Sequence, residues 1–181
     1  MTEKEATIRK MIEESPQSAV AYYKLGLLLE QDPARVSEAE AAYRRAVELD
    51  PQNAQSMYRL GLLLHENLHR LEEAEVAYRK AIELAPDEAF FYGGLISLLI
   101  LESRRSEVVA LTTKMRAMLI AVKNWYGLAA LDAILGNLEQ SIGYLKQAAD
   151  EGHINRVWAH KDPDLASVRK DPRFNEIVGS P

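Results

Sequence analysis

The sequence has 181 residues, of which 48% are hydrophobic and 27% are charged, and its formal net charge is -5. This length fits one domain with a sizeable core, and the absence of cysteine excludes a disulfide scaffold, a cysteine nucleophile and a thiolate metal site. A mildly acidic chain also lacks the strong positive field with which proteins bind nucleic acid or anionic membranes.

The first predicted helix lies near residues 3–14, and it precedes a repeat that becomes visible when the sequence is shifted by 35 residues. At that shift, residues 22–29 match 57–64 and residues 37–51 match 72–86. The same shift in the other direction aligns the first helix with the second half of a repeat. The chain is therefore predicted to contain a half repeat followed by two complete ones.

Each complete repeat is predicted to contain two helices. In repeat one, Leu25, Leu28 and Leu29 recur at positions i, i+3 and i+4, and apolar residues recur with this spacing in the second half. Pro51 and Pro86 end the second helices, because proline disfavours helical geometry in the residue before it. No stretch alternates apolar and polar residues as a strand would, so the predicted fold class is all-α.

A glycine lies inside the first predicted helix of each complete repeat. Gly26 and Gly61 each cost about 1 kcal/mol relative to alanine in a helix interior. We expect close approach of the partner helix to offset this cost, and we expect Tyr43 and Tyr78 to fill the gap between successive repeats. A single helix pair cannot bury its apolar face alone, so the repeats are expected to stack.

The third repeat departs from the pattern. Tyr92 and Leu95 are in place, but Thr113 stands at the aromatic position, and Val109 and Arg116 stand where alanines are expected. An arginine at a tight helix–helix position predicts that the helix near residues 104–121 packs loosely or is rotated. A fourth repeat fits the pattern again through Trp125, Leu128, Ala129, Gly136, Ser141, Leu145 and Ala148.

The last 29 residues, 153–181, do not repeat. Asp-Pro pairs at 162–163 and 171–172 each place a capping residue before a first-turn proline, which predicts two short helical turns. Because the last pair of a stack of helices exposes an apolar face, we expect this tail to cover it. The apolar residues available for that contact are Trp158, Leu165, Val168, Phe174, Ile177 and Val178.

These features together resemble the tetratricopeptide repeat (TPR) family, whose pattern is a large residue, Leu-Gly, Ala, an aromatic residue, Ala and Pro at fixed offsets. The matching residues are Tyr22, Leu25, Gly26, Ala39, Tyr43, Ala46 and Pro51 in repeat one, and Met57, Leu60, Gly61, Ala74, Tyr78, Ala81 and Pro86 in repeat two. The tail is similar to the Asp-Pro-rich ending of many bacterial TPR proteins. The resemblance implies a bacterial protein with a right-handed α-solenoid of helix-turn-helix repeats, an N-terminal helix and a C-terminal helical cap.

The expected organisation is one domain over residues 1–181. Its parts are the N-terminal helix or half repeat at 3–16, repeat 1 at 17–51, repeat 2 at 52–86, a degenerate repeat 3 at 87–121, repeat 4 at 122–152 and the cap at 153–181.

One motif suggests catalysis. The residues from His65 to His69 spell H-E-x-x-H, which in a zinc protease places two histidines on one helix face with Glu66 as general base. Alignment with repeat one places His65 and Glu66 in the last turn of a helix and His69 beyond it, so the two histidines would not share a face. We therefore expect no metal, no cofactor and no enzyme activity from this motif.

The TPR resemblance also implies where a partner protein would bind, namely the concave groove formed by the first helices. Tyrosine and leucine replace the basic residues with which some family members hold acidic chaperone tails, and a row of tyrosines is interrupted at Gly93. We expect that gap to admit an apolar side chain of a bound segment; the alternative is that these tyrosines pack on neighbouring helices. The groove positions are Val20, Tyr23, Leu27, Glu30, Gln55, Tyr58, Leu62, His65, Phe90, Gly93, Ser97, Ile100, Lys123, Tyr126 and Ala130.

The expected function is that of an adaptor or scaffold that binds a largely apolar peptide or partner helix in this groove. One alternative is a structural protein that forms homodimers through the irregular third repeat or the tail. Another is a zinc hydrolase that uses His65, Glu66 and His69. The amino terminus is charged where a signal peptide would be apolar, and the longest apolar run, residues 93–101, is too short to cross a bilayer. We therefore expect a cytoplasmic protein with no nucleic-acid partner and no membrane insertion.

Overall fold

The computed structural model describes residues 2–180, and within them every regular element is helical. The predicted all-α class is thus confirmed. The α-helices are α1 (Glu3–Glu14), α2 (Ala19–Leu29), α3 (Val36–Leu49), α4 (Ala54–Glu66), α5 (Leu71–Leu84), α6 (Tyr92–Leu101), α7 (Arg105–Ala121), α8 (Trp125–Ile134), α9 (Leu138–Asp150), α10 (Arg156–Ala159) and α11 (Pro172–Val178). Short 3-10 turns lie at Pro33–Arg35, Ala89–Phe91, Pro163–Leu165 and Val168–Lys170.

The chain divides into two compact units. Unit 1 is Met1–Asp87 and contains α1 to α5, whereas unit 2 is Glu88–Pro181 and contains α6 to α11. Among the described residues, no helix combines the length and the apolar character needed to cross a membrane.

Unit 1 is a row of neighbouring helices. The helices α2 and α3 form one pair and α4 and α5 the next, while α1 packs on α2 and α3 packs on α4. Equivalent residues begin the first helix of each pair, since the Ser18 side chain accepts a hydrogen bond from the Ala21 amide and the Asn53 side chain accepts one from the Ser56 amide. The second helices end at Leu49 and Leu84, as the prolines predicted.

The helix glycines of unit 1 make room for tyrosine rings. A Cβ atom placed on Gly26 would lie 2.6 Å from Tyr43 Cε1, and one on Gly61 would lie 2.8 Å from the Tyr78 ring. Both tyrosines are fully buried. The predicted close approach of the partner helix is confirmed, and the group that approaches each glycine is the tyrosine ring of the same repeat. A tyrosine is long enough to cross from the second helix to the first helix of one pair.

Unit 2 contains the irregular third repeat and the tightly packed fourth. Along the 17 residues of α7, only Met115 and Leu119 are buried, and Val109 is 64% exposed. Arg116 stands at an alanine position and forms two hydrogen bonds, of 2.7 and 3.0 Å, to the buried carboxylate of Asp132 on α8. An ion pair therefore replaces the small-residue contact of the other repeats.

The tail packs on the last helix pair of unit 2. The turn at Pro163–Leu165 lies against α8, and α11 lies against α9. These contacts enclose a buried apolar cluster, so the tail covers apolar surface of α8 and α9 as we expected. Its members are Ala129, Ala130, Ala133, Ile142, Leu145, Ala159, Leu165, Val168, Phe174 and Val178.

Candidate partner-binding surfaces

The groove positions predicted from the sequence lie on the first helix of each pair or just before it. In unit 1, Val20, Tyr23, Leu27 and Glu30 lie on α2 or at its end, and Gln55, Tyr58, Leu62 and His65 lie on α4. In unit 2, Phe90 lies in a 3-10 turn, Gly93, Ser97 and Ile100 lie on α6, Lys123 precedes α8, and Tyr126 and Ala130 lie on α8.

Unit 1 offers an accessible apolar surface on its first helices. Val20 is 54% exposed, and Tyr23, Leu27 and Leu62 are each partly exposed. We call these four residues the α2/α4 surface. Gln55 is exposed, whereas Tyr58 is only 4% exposed and packs against Tyr78 with ring centroids 5.6 Å apart. Tyr58 thus belongs to the packed interior rather than to the accessible surface.

A polar network closes one end of this surface. The hydroxyl of Tyr43 donates a hydrogen bond of 2.5 Å to Glu30 Oε2, and Arg59 Nη1 lies 3.4 Å from Glu30 Oε1. Burial, with the nearby Glu30 carboxylate, raises the pKa of Tyr43 well above its ordinary value. Partial desolvation, with Glu30 adding to the effect, raises the pKa of Glu66. The role of Arg59 was not predicted, although its place beside the predicted groove residue Tyr58 was a usable signal.

The H-E-x-x-H residues do not lie together on one helix. The helix α4 ends at Glu66, and His69 lies beyond it with a left-handed backbone at φ 53°. His65 Nδ1 lies 3.3 Å from the Tyr78 hydroxyl, and burial lowers its pKa, with His69 as a smaller cause. The prediction that the motif straddles a helix end is confirmed. Within residues 2–180, no group of three or more His, Asp or Glu side chains is placed to hold a metal ion.

Repeated ion pairs connect successive second helices. Glu5 on α1 is 3% exposed and accepts two hydrogen bonds of 2.8 Å from Arg35, which precedes α3. The arrangement recurs one repeat later, where Glu40 on α3 accepts a 2.7 Å bond from Arg70, which precedes α5. Glu40 also pairs with Arg44, as expected for a helix surface. The bond from Arg70 was not anticipated, although the 35-residue shift aligns both pairs.

In unit 2, part of the predicted groove is covered by the tail. We call residues 162–165 the strap. The Tyr126 hydroxyl donates a 2.6 Å hydrogen bond to Asp162 Oδ2, and a Cβ atom on Gly93 would lie 3.7 Å from Asp164 Oδ2. Ala130 is buried in the cluster that contains Leu165. The strap therefore brings three of the predicted residues together, and the side chain nearest to the gap at Gly93 is a carboxylate of the chain itself.

Sequence comparisons identify repeats in the first half of the chain. Two family models, both described as tetratricopeptide repeat, match residues 19–53 and residues 42–76. These matches overlap the two most regular repeats. No curated protein matches this sequence significantly.

Solved structures show the same fold at low sequence identity. The crystal structure of YrrB, a TPR protein with an unusual peptide-binding site, is 18% identical with a TM-score of 0.57, over 94% of this chain and 91% of that chain. A crystal structure of MamA is 18% identical with a TM-score of 0.58, over 82% of this chain and 86% of that chain. The structure of Naa15/Naa10 bound to HypK-THB is 22% identical in sequence with a TM-score of 0.53, over 91% of this chain and 26% of that chain.

Proposed function

We propose that this chain, which is a tetratricopeptide repeat protein, is an adaptor that binds a largely apolar segment of a partner protein on the α2/α4 surface. The proposal assigns it no chemistry of its own and places it in the cytoplasm of a bacterium. The observation that supports it most directly is an accessible tyrosine and leucine surface on the first helices of unit 1. Aromatic and apolar residues of this kind form the centres of protein interfaces.

Charge contributes little to recognition in this proposal. Glu30 and Arg59 lie at the edge of the surface, and they neutralise each other at 3.4 Å. Glu30 is further engaged by the Tyr43 hydroxyl. A partner would therefore gain affinity chiefly by burying apolar side chains against Tyr23, Leu27 and Leu62. YrrB is described as having a peptide-binding site, and a peptide is the kind of partner that we propose here.

A matched pair of substitutions tests the proposal. Val20 on α2 and Val76 on α5 are both exposed helical valines, at 54% and 70%, but only Val20 belongs to the α2/α4 surface. Val20→Asp places a charge among the apolar contacts and is expected to reduce partner capture at least tenfold, whereas Val76→Asp retains it. The measurement is quantitative mass spectrometry of proteins retained by each immobilised chain from a bacterial lysate. Equal retention by the two variants would contradict the proposal.

Self-association is a second candidate function. Leu101 at the end of α6, Val109 on α7 and Val122 after α7 are each more than 60% exposed, so the irregular third repeat presents three apolar side chains to solvent. A homodimer would cover them. Light scattering at several protein concentrations tests this, because dimerisation raises the mean molecular mass as concentration increases. Val109→Asp should then keep the mean mass at that of the monomer.

A further inference from the structure

The strap contacts α8 through a polar and an apolar side chain. Asp162 is only 5% exposed, and its Oδ2 atom accepts the Tyr126 hydrogen bond at 2.6 Å. Its Oδ1 atom accepts a second bond, of 3.0 Å, from the Asp164 amide. One carboxylate thus closes the turn of the strap and fixes that turn to α8.

The apolar contact is made by Leu165. Its side chain is fully buried in the cluster that contains Ala129, Ala130 and Ala133. The small alanine side chains of α8 leave room for the leucine, and Tyr126, which carries the hydroxyl donor, packs against the same cluster. An aspartate followed three residues later by a leucine matches both features.

The rest of the tail has its own anchor. Phe174 and Val178 of α11 are buried in the cluster of unit 2, and α11 lies against α9. Arg173 also forms two hydrogen bonds, of 2.7 and 2.9 Å, to Glu139 on α9. The bonds from Arg173 to Glu139 and the packing of α11 on α9 do not involve α8, so they do not have to break when the strap leaves α8.

We propose that the strap is an exchangeable ligand of a recognition site on α8, and that this site binds a segment of another protein with an aspartate and, three residues later, a leucine. The Tyr126 hydroxyl would donate to the aspartate of that segment, and its leucine would replace Leu165. Because the strap is attached to the chain, it competes for the site at a high effective concentration. The apparent affinity of a partner is therefore reduced by the fraction of molecules in which the strap occupies the site. The proposal rests on the proposed function only in assuming that the chain has a partner protein.

Binding of a peptide copy of the strap tests the inference. The probe is a fluorescein-labelled synthetic peptide of residues 160–170, titrated with the full chain and followed by fluorescence polarisation. The wild-type chain is expected to bind it weakly because its own strap occupies the site. Leu165→Ala in the chain weakens only the attached competitor, so the probe is expected to bind at least tenfold more tightly. Adding Tyr126→Phe removes the hydroxyl donor and is expected to abolish most of that gain.

Three controls make the result decisive. A probe with alanine at both the aspartate and the leucine positions must not bind, and Val157→Ala, an exposed position outside the strap, must behave as the wild type. Circular dichroism checks that each variant folds. If Leu165→Ala unfolds the chain, Asp162→Asn takes its place. The asparagine amide keeps the Oδ1 acceptor of the Asp164 amide but has no second oxygen to accept the Tyr126 hydrogen bond.

Two outcomes would overturn the inference. One is unchanged probe affinity in the folded strap variants, or a gain that persists with Tyr126→Phe. The other is dimerisation of the wild-type chain that Leu165→Ala abolishes, which would assign the site to the strap of a second copy. Since the probe requires no natural partner, either outcome leaves the comparison of Val20→Asp with Val76→Asp to be judged separately.

Discussion

Ser56 occupies a position in α4 whose counterpart in α2 is Ala21, and both residues are buried. The Ser56 hydroxyl has no hydrogen-bond partner among the described residues. A buried hydroxyl without a partner costs about 1–3 kcal/mol relative to one in water. The Ala21 position shows that a methyl side chain fits this site in the neighbouring repeat.

We therefore expect Ser56→Ala to stabilise the protein by about 1 kcal/mol. For a chain of this length that change raises Tm by about 2–4 °C, which differential scanning calorimetry resolves. Ala21→Ser is the reverse substitution at the equivalent position and should lower Tm by a similar amount. A lower Tm for Ser56→Ala would show that the hydroxyl contributes to stability.

Among the helices, the packing of each glycine decides what an added methyl group does. On Gly26 of α2 a Cβ atom would clash with the buried Tyr43 ring at 2.6 Å, whereas on Gly143 of α9 it would meet no atom within 4 Å. Gly26→Ala is expected to destabilise by about 1–3 kcal/mol through overpacking. Gly143→Ala is expected to stabilise by up to about 1 kcal/mol through helix propensity. Urea denaturation of the two variants measures both values, and equal shifts of the same sign would contradict the expectation.

The helix ends and the contacts between helices differ in how far the sequence predicts them. Pro51 and Pro86 act on the residue beside them, so the ends of α3 and α5 were predictable from local chemistry. The contact of Tyr43 with Gly26 depends on the reach of a side chain across a helix pair, and the repeat alone does not distinguish that from a contact between pairs. Arg116 signalled a departure from close packing, but its partner Asp132 is set by the relative position of α7 and α8.

The two candidate surfaces also differ in how far the sequence predicts them. The apolar character of the α2/α4 surface followed from the repeat register, since Val20, Leu27 and Leu62 are placed by helix periodicity. The contact of Tyr126 with Asp162 joins residues 36 positions apart in a tail that does not repeat. No periodic pattern specifies the path of such a segment, so the strap could be recognised only in the folded chain.

Across the molecule, ion pairs make stability depend on pH in the acidic range. Hydrogen bonds from Arg35 lower the pKa of Glu5 from 4.5 to about 2, and hydrogen bonds from Arg173 lower that of Asp171 from 3.8 to about 2. Each carboxylate binds a proton more readily in the unfolded chain than in the folded one. Their contribution is therefore complete above the unfolded pKa and is lost as pH falls toward the folded pKa.

We expect Tm to fall progressively between pH 4.5 and 2 as these carboxylates are protonated. The pKa values of Glu38, Glu73 and Glu139 are lowered as well, by hydrogen bonds from Arg35, Arg70 and Arg173 respectively. Thermal unfolding followed by circular dichroism at half-unit pH steps measures the curve. Glu5→Gln should flatten the acidic slope, and an equally steep curve for this variant would contradict the assignment.

The ion pairs of unit 1 also bear on how such a chain changes length during evolution. Arg35 reaches back to Glu5, and Arg70 reaches back to Glu40, so every junction uses a donor from the later repeat and an acceptor from the earlier one. Duplication of a unit of 35 residues therefore creates a new junction that already contains both partners. An insertion between a glutamate and its arginine would lengthen the segment that joins them, so natural variation in this part of the chain should proceed by whole repeats.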